Sequence, residues 1–296
     1  MALDGLPLLS RRAWGQLTAV RALRARRFDL AVNLYEISTF RGMLKMAALF
    51  AAAHPRLAAG RDTDGRGFFY SVKSPDSQQD RLNHGEHYAR LAALLGCKVR
   101  PEDKAALWIT DAAQAAAAAF LARHAAPDTV WFGVNPGSTR KSRLWRPERF
   151  AKVADALAFR HGMRAVITGG PGEGPLAAEI AAAMKSQPAV AAERLAFEES
   201  LALIQGLRLL VTTHSSLMHA ANAFDVPFVA LCGISDMNRD GPYHPAPGRY
   251  AVVTGTGDKK TSPSQDEASP AMLAITEPAV IGAAEELLRR TANGQD

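Results

Sequence analysis

A chain of 296 residues with 48% hydrophobic and 22% charged side chains is too long for one small core and too apolar to be disordered, and fits one large or two medium α/β domains of about 100–200 residues each. Its formal net charge of +6 favours anionic partners. Cys97 and Cys232 have no metal-ligand spacing around them, which suits two buried thiols in a reducing compartment; with neither a secretory leader nor an apolar run of about 18 residues, a cytoplasmic protein is expected.

Residues 12–27 read as a basic amphipathic helix carrying Arg12, Arg21, Arg24, Arg26 and Arg27, either a solvated face or a surface for phosphorylated lipid, nucleic acid or membrane. Residues 28–35 form a β-rich run, and Ser38 is placed to cap a helix reaching about Ala53. The Gly-, Ser- and Asp-rich stretch 61–80 reads as a loop, followed by a helix over 85–95 closed by Gly96. His84 and His87 stand three apart there without further ligands, so no metal site is expected. An Ala-rich helix over 112–125 leads to Pro127-Asp128, the expected domain boundary, dividing the chain into 1–127 and 128–296.

From Val130 the pattern becomes regular. Strands are expected at 130–134, 164–168, 208–212, 227–232 and 250–254, and helices at 147–160, 175–186, 198–206, 216–223 and 277–290. Such alternation implies a parallel sheet with right-handed crossovers, whose ligands bind beyond the carboxyl ends of the strands. The polar stretch 256–269 reads as a mobile loop.

Three of those strand ends carry unusual residues. Asn135-Pro-Gly-Ser-Thr-Arg-Lys-Ser-Arg-Leu-Trp-Arg-Pro147 combines Gly137, the hydroxyls of Ser138 and Thr139, and several cations including Arg143. Arginine bridges phosphate oxygens with its planar fork. Pro147 suits the first turn of the next helix. Gly169-Gly-Pro-Gly-Glu-Gly-Pro175 resembles a phosphate-cradling glycine loop without matching the dinucleotide or P-loop pattern. Gly170 lies within it, and Glu173 is placed to accept from a ribose. In Thr212-Thr-His-Ser-Ser-Leu-Met-His219 a strand passes into a helix whose N-terminus attracts anions. Ser215 and Ser216 either cap that helix or meet the ligand, and His219 faces either the ligand or the core.

Taken in order, these segments resemble glycosyltransferase family 9, the ADP-heptose:lipopolysaccharide heptosyltransferases. The resemblance is carried by Arg27-Phe-Asp-Leu-Ala-Val-Asn-Leu34, by Asn135-Pro-Gly-Ser with Trp145-Arg-Pro-Glu-Arg-Phe150, and by Ile167-Thr-Gly-Gly-Pro-Gly-Glu173. It continues through His214-Ser-Ser-Leu-Met-His-Ala-Ala-Asn-Ala223, Gly233-Ile-Ser-Asp236, Gly241-Pro-Tyr243 and Ile275-Thr-Glu-Pro278. It implies a GT-B fold, two Rossmann-like domains facing a cleft, with the donor nucleotide on the C-terminal one and the acceptor on the N-terminal one. It implies metal-independent, cofactor-free transfer of a heptose or similar sugar from an ADP-activated or other nucleotide sugar to an anionic lipopolysaccharide-core or related glycan, with peripheral contact at the inner membrane. Donor contacts would come from Ser138, Thr139, Arg143, Gly170, Glu173, Ser215, Ser216 and His219.

Three departures accompany the resemblance, one of them Ala271 at a position where many members carry a cysteine. The family opens with a strand and a loop bearing the aspartate thought to act as general base, and no residue here matches that region, so the N-terminal domain is expected to be incomplete, its apolar edges exposed, and no catalytic residue is assigned. The family's Asp-Ser-Gly is replaced by His214-Ser215-Ser216. The alternative is an inactive nucleotide-binding or interaction module derived from the family. No nucleic-acid partner is expected, since no recognition-helix or aromatic-rich motif accompanies the basic N-terminus.

Overall fold

The structure is a computed structural model, which describes residues 21–100, 102–256 and 267–292. The chain divides into two compact units, Met1–Asp103 and Lys104–Asp296. Most of the basic helix expected at 12–27 lies outside the described residues, although 21–25 are helical, and most of the stretch 256–269 also lies outside them.

The first unit is built on three parallel strands in the order β1-β2-β3, with β1 at Leu30–Asn33, β2 at Leu57–Thr63 and β3 at Val72–Asp76. Helix α1, Phe40–Ala53, is capped by Thr39 rather than Ser38, its hydroxyl accepting from the Gly42 N–H at 3.0 Å. Helix α2, His84–Leu94, is capped by Asn83. Leu30, Val32 and Leu34 on and beside the edge strand β1 are exposed.

The stretch 61–80, expected as a loop, contains the end of β2 and the whole of β3. The signal was hidden because the buried faces there are polar: Arg61, 2% exposed, donates from Nε to Asp76 Oδ2 at 2.5 Å. Alternating apolar residues, the usual mark of a strand, are replaced by an ion pair formed across the sheet. Gly60 completes the arrangement, since a Cβ there would lie 2.5 Å from the Tyr70 ring that crosses the strand. The Tyr70 hydroxyl accepts from Asn33 Nδ2 at 2.7 Å, and the ring packs with Ile37 and Ala58 in a small core.

The second unit begins earlier than the boundary expected near Pro127. Helix α3, Asp111–Ala122, buries Ala113, Ala117 and Phe120 and packs on helix α6, Phe197–Gln205. The Thr110 N–H before α3 donates to Glu198 Oε1 at 2.9 Å, holding that carboxyl below its usual range. Alanines bring a helix close to its neighbour without announcing which neighbour, so the composition alone did not place α3.

Six parallel strands follow in the order β6-β5-β4-β7-β8-β9. They are β4 Trp131–Asn135, β5 Arg164–Ile167, β6 Ala189–Val190, β7 Leu210–Thr213, β8 Phe228–Cys232 and β9 Tyr250–Thr254. All the longer strands were expected; β6, two residues at the sheet edge, is too short to show a period. Helices α4 Pro147–His161, α5 Gly174–Ala183 and α10 Glu277–Ala292 cover one face, packing Phe150, Leu157, Ile180 and Leu287 on Val134, Ile167, Val211 and Leu231. Helices α3, α6 and α7, the last at Ser216–Ala223, cover the other over Trp131, Val166, Leu210 and Phe228. Strands covered on both faces read as continuous apolar runs, which is why this half was legible. Short helices α8 Met237–Asp240 and α9 Pro270–Leu273 lie in the connections around β9. Of the two thiols expected to be buried, Cys232 is and Cys97 is exposed.

No helix among the described residues is long and apolar enough to cross a membrane.

Candidate functional site

Strand order reverses beside β4: β5 lies on one side and β7 on the other. At such a switch point the loops leaving the strand ends diverge and open a crevice. Here it is a cavity of about 680 Å³ entirely within the second unit.

The three loops are tied together beneath it by one buried side chain. Asn135, last residue of β4, donates from Nδ2 to Thr212 Oγ1 at 3.0 Å and to Ser215 Oγ at 2.8 Å, while its Oδ1 accepts from Thr168 Oγ1 at 3.3 Å. Thr213 Oγ1 adds a bond to the Gly137 carbonyl at 2.5 Å. Asn135→Ala removes three hydrogen bonds, and although Thr212 and Thr168 keep bonds to the Thr213 and Val134 carbonyls and the Thr212 and Ser215 hydroxyls keep each other, the loss costs about 1–3 kcal/mol. The expected outcome is a drop of that size in unfolding free energy at unchanged slope in urea titration.

The first loop turns through the 3₁₀ segment Lys141–Arg143. It is anchored at Ser142, whose carbonyl accepts from the Ser269 N–H at 3.1 Å, and at Trp145, buried edge-on to Phe150 with Nε1 donating to the Ile275 carbonyl at 3.2 Å. Between these anchors stands Arg143, partly buried, with Nε buried and unpartnered. Burial, then the neighbouring Arg140, pull its pKa below the usual value.

Gly169-Gly-Pro-Gly-Glu173 folds around its own carboxylate: Glu173 Oε2 accepts from the Gly170 N–H at 2.7 Å. A Cβ on Gly137 would lie 2.1 Å from Glu173 Oε1, so that glycine lets the first two loops touch. The close approach that Gly137 permits is an approach to Glu173.

In the third loop Ser215 is the N-cap of α7 but makes no side-chain cap bond, because its hydroxyl faces Asn135 and Thr212 instead. The capping role considered for it is thus not realised, and no side chain of the cap residue competes with a ligand for the helix N–H groups. Ser216 and His219 are exposed. His214 is 6% exposed; its Nε2 lies 2.9 Å from the Asp240 carbonyl and its Nδ1 is buried and unpartnered. Burial, then Arg143, push its pKa down.

Ser138, Thr139, Arg143, Gly170, Glu173, Ser215, Ser216 and His219, chosen from sequence, all line this cavity. Sequence reasoning missed Phe197, which stands 65% exposed at the start of α6 and also lines it. An isolated phenylalanine at a helix start carries no signal of its own. No cluster of three or more His, Cys, Asp or Glu side chains suited to a metal occurs among the described residues.

Comparison with known proteins decides the relationship. The model of glycosyltransferase family 9 (heptosyltransferase) matches residues 17–271. The chain belongs to that family. It is 28% identical over 177 residues to lipopolysaccharide heptosyltransferase 3 of Escherichia coli, a stretch making up 58% of this chain and 51% of that protein. The chain thus spans about half the length of this curated relative. Among solved structures, the family 9 glycosyl transferase of Veillonella parvula superposes with a TM-score of 0.75 at 24% identity, over 95% of this chain and 80% of that one. The E. coli heptosyltransferase WaaC with ADP gives 0.66 at 20% identity, over 94% and 79%. These likenesses establish the fold, a GT-B type with α/β units on parallel sheets, as the family resemblance implied.

Proposed function

We propose that the second unit of this family 9 chain binds the diphosphate of an ADP-activated heptose or similar nucleotide sugar, and that the protein transfers the sugar to a lipopolysaccharide-core or related anionic glycan without a metal. The observation that carries this is the convergence, on one cavity at the strand-order switch, of Arg143 with an unpartnered buried Nε and the start of α7. Cations and helix N–H groups are the donors a diphosphate requires. The ADP of the E. coli structure gives the nucleotide part of the reading.

In this scheme Arg143, Ser138 and Thr139 hold phosphate oxygens from one side and the first turn of α7 from the other. Phe197 offers a face on which the base stacks. Glu173, steadied through Oε2 by Gly170, directs Oε1 to the ribose. As an acceptor hydroxyl attacks the anomeric carbon, the bond from that carbon to the diphosphate breaks and negative charge grows on the departing nucleotide. Fixed donors aimed at that charge lower the barrier, since they need no reorganisation. An acceptor carried on a glycolipid would be met at the inner membrane face.

Titration calorimetry with ADP tests the site. Arg143→Ala is expected to weaken ADP about 10- to 100-fold, the worth of a hydrogen bond to a charged group, about 1.5–3 kcal/mol. Unmeasurable binding by the unmodified chain overturns the site. Adding ADP-heptose with a lipopolysaccharide-core acceptor and following ADP release tests transfer; binding without release leaves the nucleotide-binding module as the function.

A further inference from the structure

His214 takes no part in the scheme above, and its position imposes a condition on whatever fills the cavity. A carbonyl oxygen only accepts, so the contact of Nε2 with the Asp240 carbonyl at 2.9 Å requires the proton of the neutral ring to sit on Nε2. Nδ1 is then a bare lone pair, buried without a partner, while His214 itself lines the cavity, so a ligand oxygen meets Nδ1 only with a small shift of the ring or of the loop beside it. Phosphate oxygens of a diphosphate are also acceptors. A lone pair set against them is repulsive, and the repulsion becomes a charge-assisted hydrogen bond only when a proton enters between them.

We propose, resting on the diphosphate reading of this cavity, that His214 is a proton-accepting member of the site: a diphosphate enters together with one proton from bulk solvent, which bonds to Nδ1 and is donated to a phosphate oxygen. The imidazole becomes imidazolium, Nε2–H stays on the Asp240 carbonyl, and no other bond changes. Binding is thereby coupled to pH at a position where the family motif has an acid.

The surroundings set the direction of the coupling. Arg143 and Arg140 from the first loop oppose a charged ring, and burial opposes it more strongly, so the empty site holds His214 neutral. The carboxyl of Asp240 on α8 favours the charged ring more weakly, and the His219 ring on α7 lies 6.1 Å away between centroids. An arriving diphosphate cancels the field of the arginines and adds its own negative charge, which favours the imidazolium. Affinity for ADP therefore falls as pH rises between the imidazole's values in the empty and the filled site, by up to about tenfold per pH unit.

The test is calorimetric titration of the unmodified chain with ADP at pH 8 in buffers of differing ionisation enthalpy. At that pH the second ionisation of a phosphate, near about 6, is complete and contributes no proton. The slope of observed enthalpy against buffer enthalpy counts protons taken up. A positive slope approaching one as pH is lowered to 7, abolished in His214→Gln while ADP still binds, is the expected result. Nitrogen NMR of the histidine rings in the unmodified chain, showing Nδ1 of His214 protonated only with ADP, gives the same answer if the variant does not fold. Binding with zero slope overturns the role of His214 and leaves the diphosphate site intact. A slope that persists in folded His214→Gln moves the proton to another group, His219 foremost, and also overturns it. Absence of ADP binding overturns the diphosphate reading and this inference with it.

Discussion

Trp145→Ala is expected to destabilise the second unit by about 3–5 kcal/mol, the usual cost of deleting a buried tryptophan. The side chain is 2% exposed, packs edge-on to Phe150 with centroids 5.1 Å apart, and bonds the Ile275 carbonyl. Arg149 lies 5.8 Å above its ring and donates to the Ile275 and Leu273 carbonyls. Deleting the indole thus removes packing from α4 and also frees the segment that ties the first of the three cavity loops to the residues before α10. For a unit of this size the midpoint should fall by roughly 6–20 °C, at about 2–4 °C per kcal/mol. Trp145→Phe retains much of the packing and loses the N–H bond, so about 1 kcal/mol is expected from the missing hydrogen bond. Differential scanning calorimetry distinguishes the two. A midpoint for the alanine variant within a degree or two of the unmodified chain would mean that the loop is not held through this ring.

Arg61→Leu is the comparable experiment in the first unit. The Asp76 side chain is fully buried, pairs with Arg61 through Oδ2, and already has an unpartnered Oδ1. Removing the guanidinium leaves an uncompensated buried carboxylate, at a cost of about 3–5 kcal/mol. The effect carries a pH signature through His87, whose Nδ1 lies 3.8 Å from Asp76 Oδ2. In the unmodified chain burial, then Arg61, hold the His87 pKa below the ordinary imidazole value. A histidine depressed on folding binds protons more readily when unfolded, so stability is full above about 6.5 and is lost as pH falls below it. Without Arg61 the imidazole can ionise and pair with Asp76. The gap between variant and unmodified chain should then be widest at pH 8 and narrow toward pH 5.5 in denaturant titrations. A gap independent of pH would show that His87 does not answer for the lost arginine.

The regularity of the second unit was legible because its strands are covered on both faces, so each is an apolar run between glycine and proline punctuation. In the first unit the rule failed at β2 and β3, where buried Arg61 and Asp76 give polar letters to interior positions. It failed again at α3, where small alanine contacts suit many partners and the observed one is α6.

The sequence by itself determined the family, the alternation of strands and helices after Val130, and the cationic and glycine-bearing residues that gather at the strand ends. These are local properties: the period of a strand, the first turn of a helix and the φ freedom of a glycine are all set within a few positions. Tertiary structure decided the strand order that opens the cavity beside β4, the addition of Phe197 to its lining, the diversion of the Ser215 hydroxyl from capping, and the orientation of His214. Asn135 finds its partner Thr212 77 positions away, and His214 meets the carbonyl of Asp240 26 positions on. Which polar group answers another depends on how the crossovers close the sheet, since a buried donor or acceptor takes the partner the packed neighbours supply.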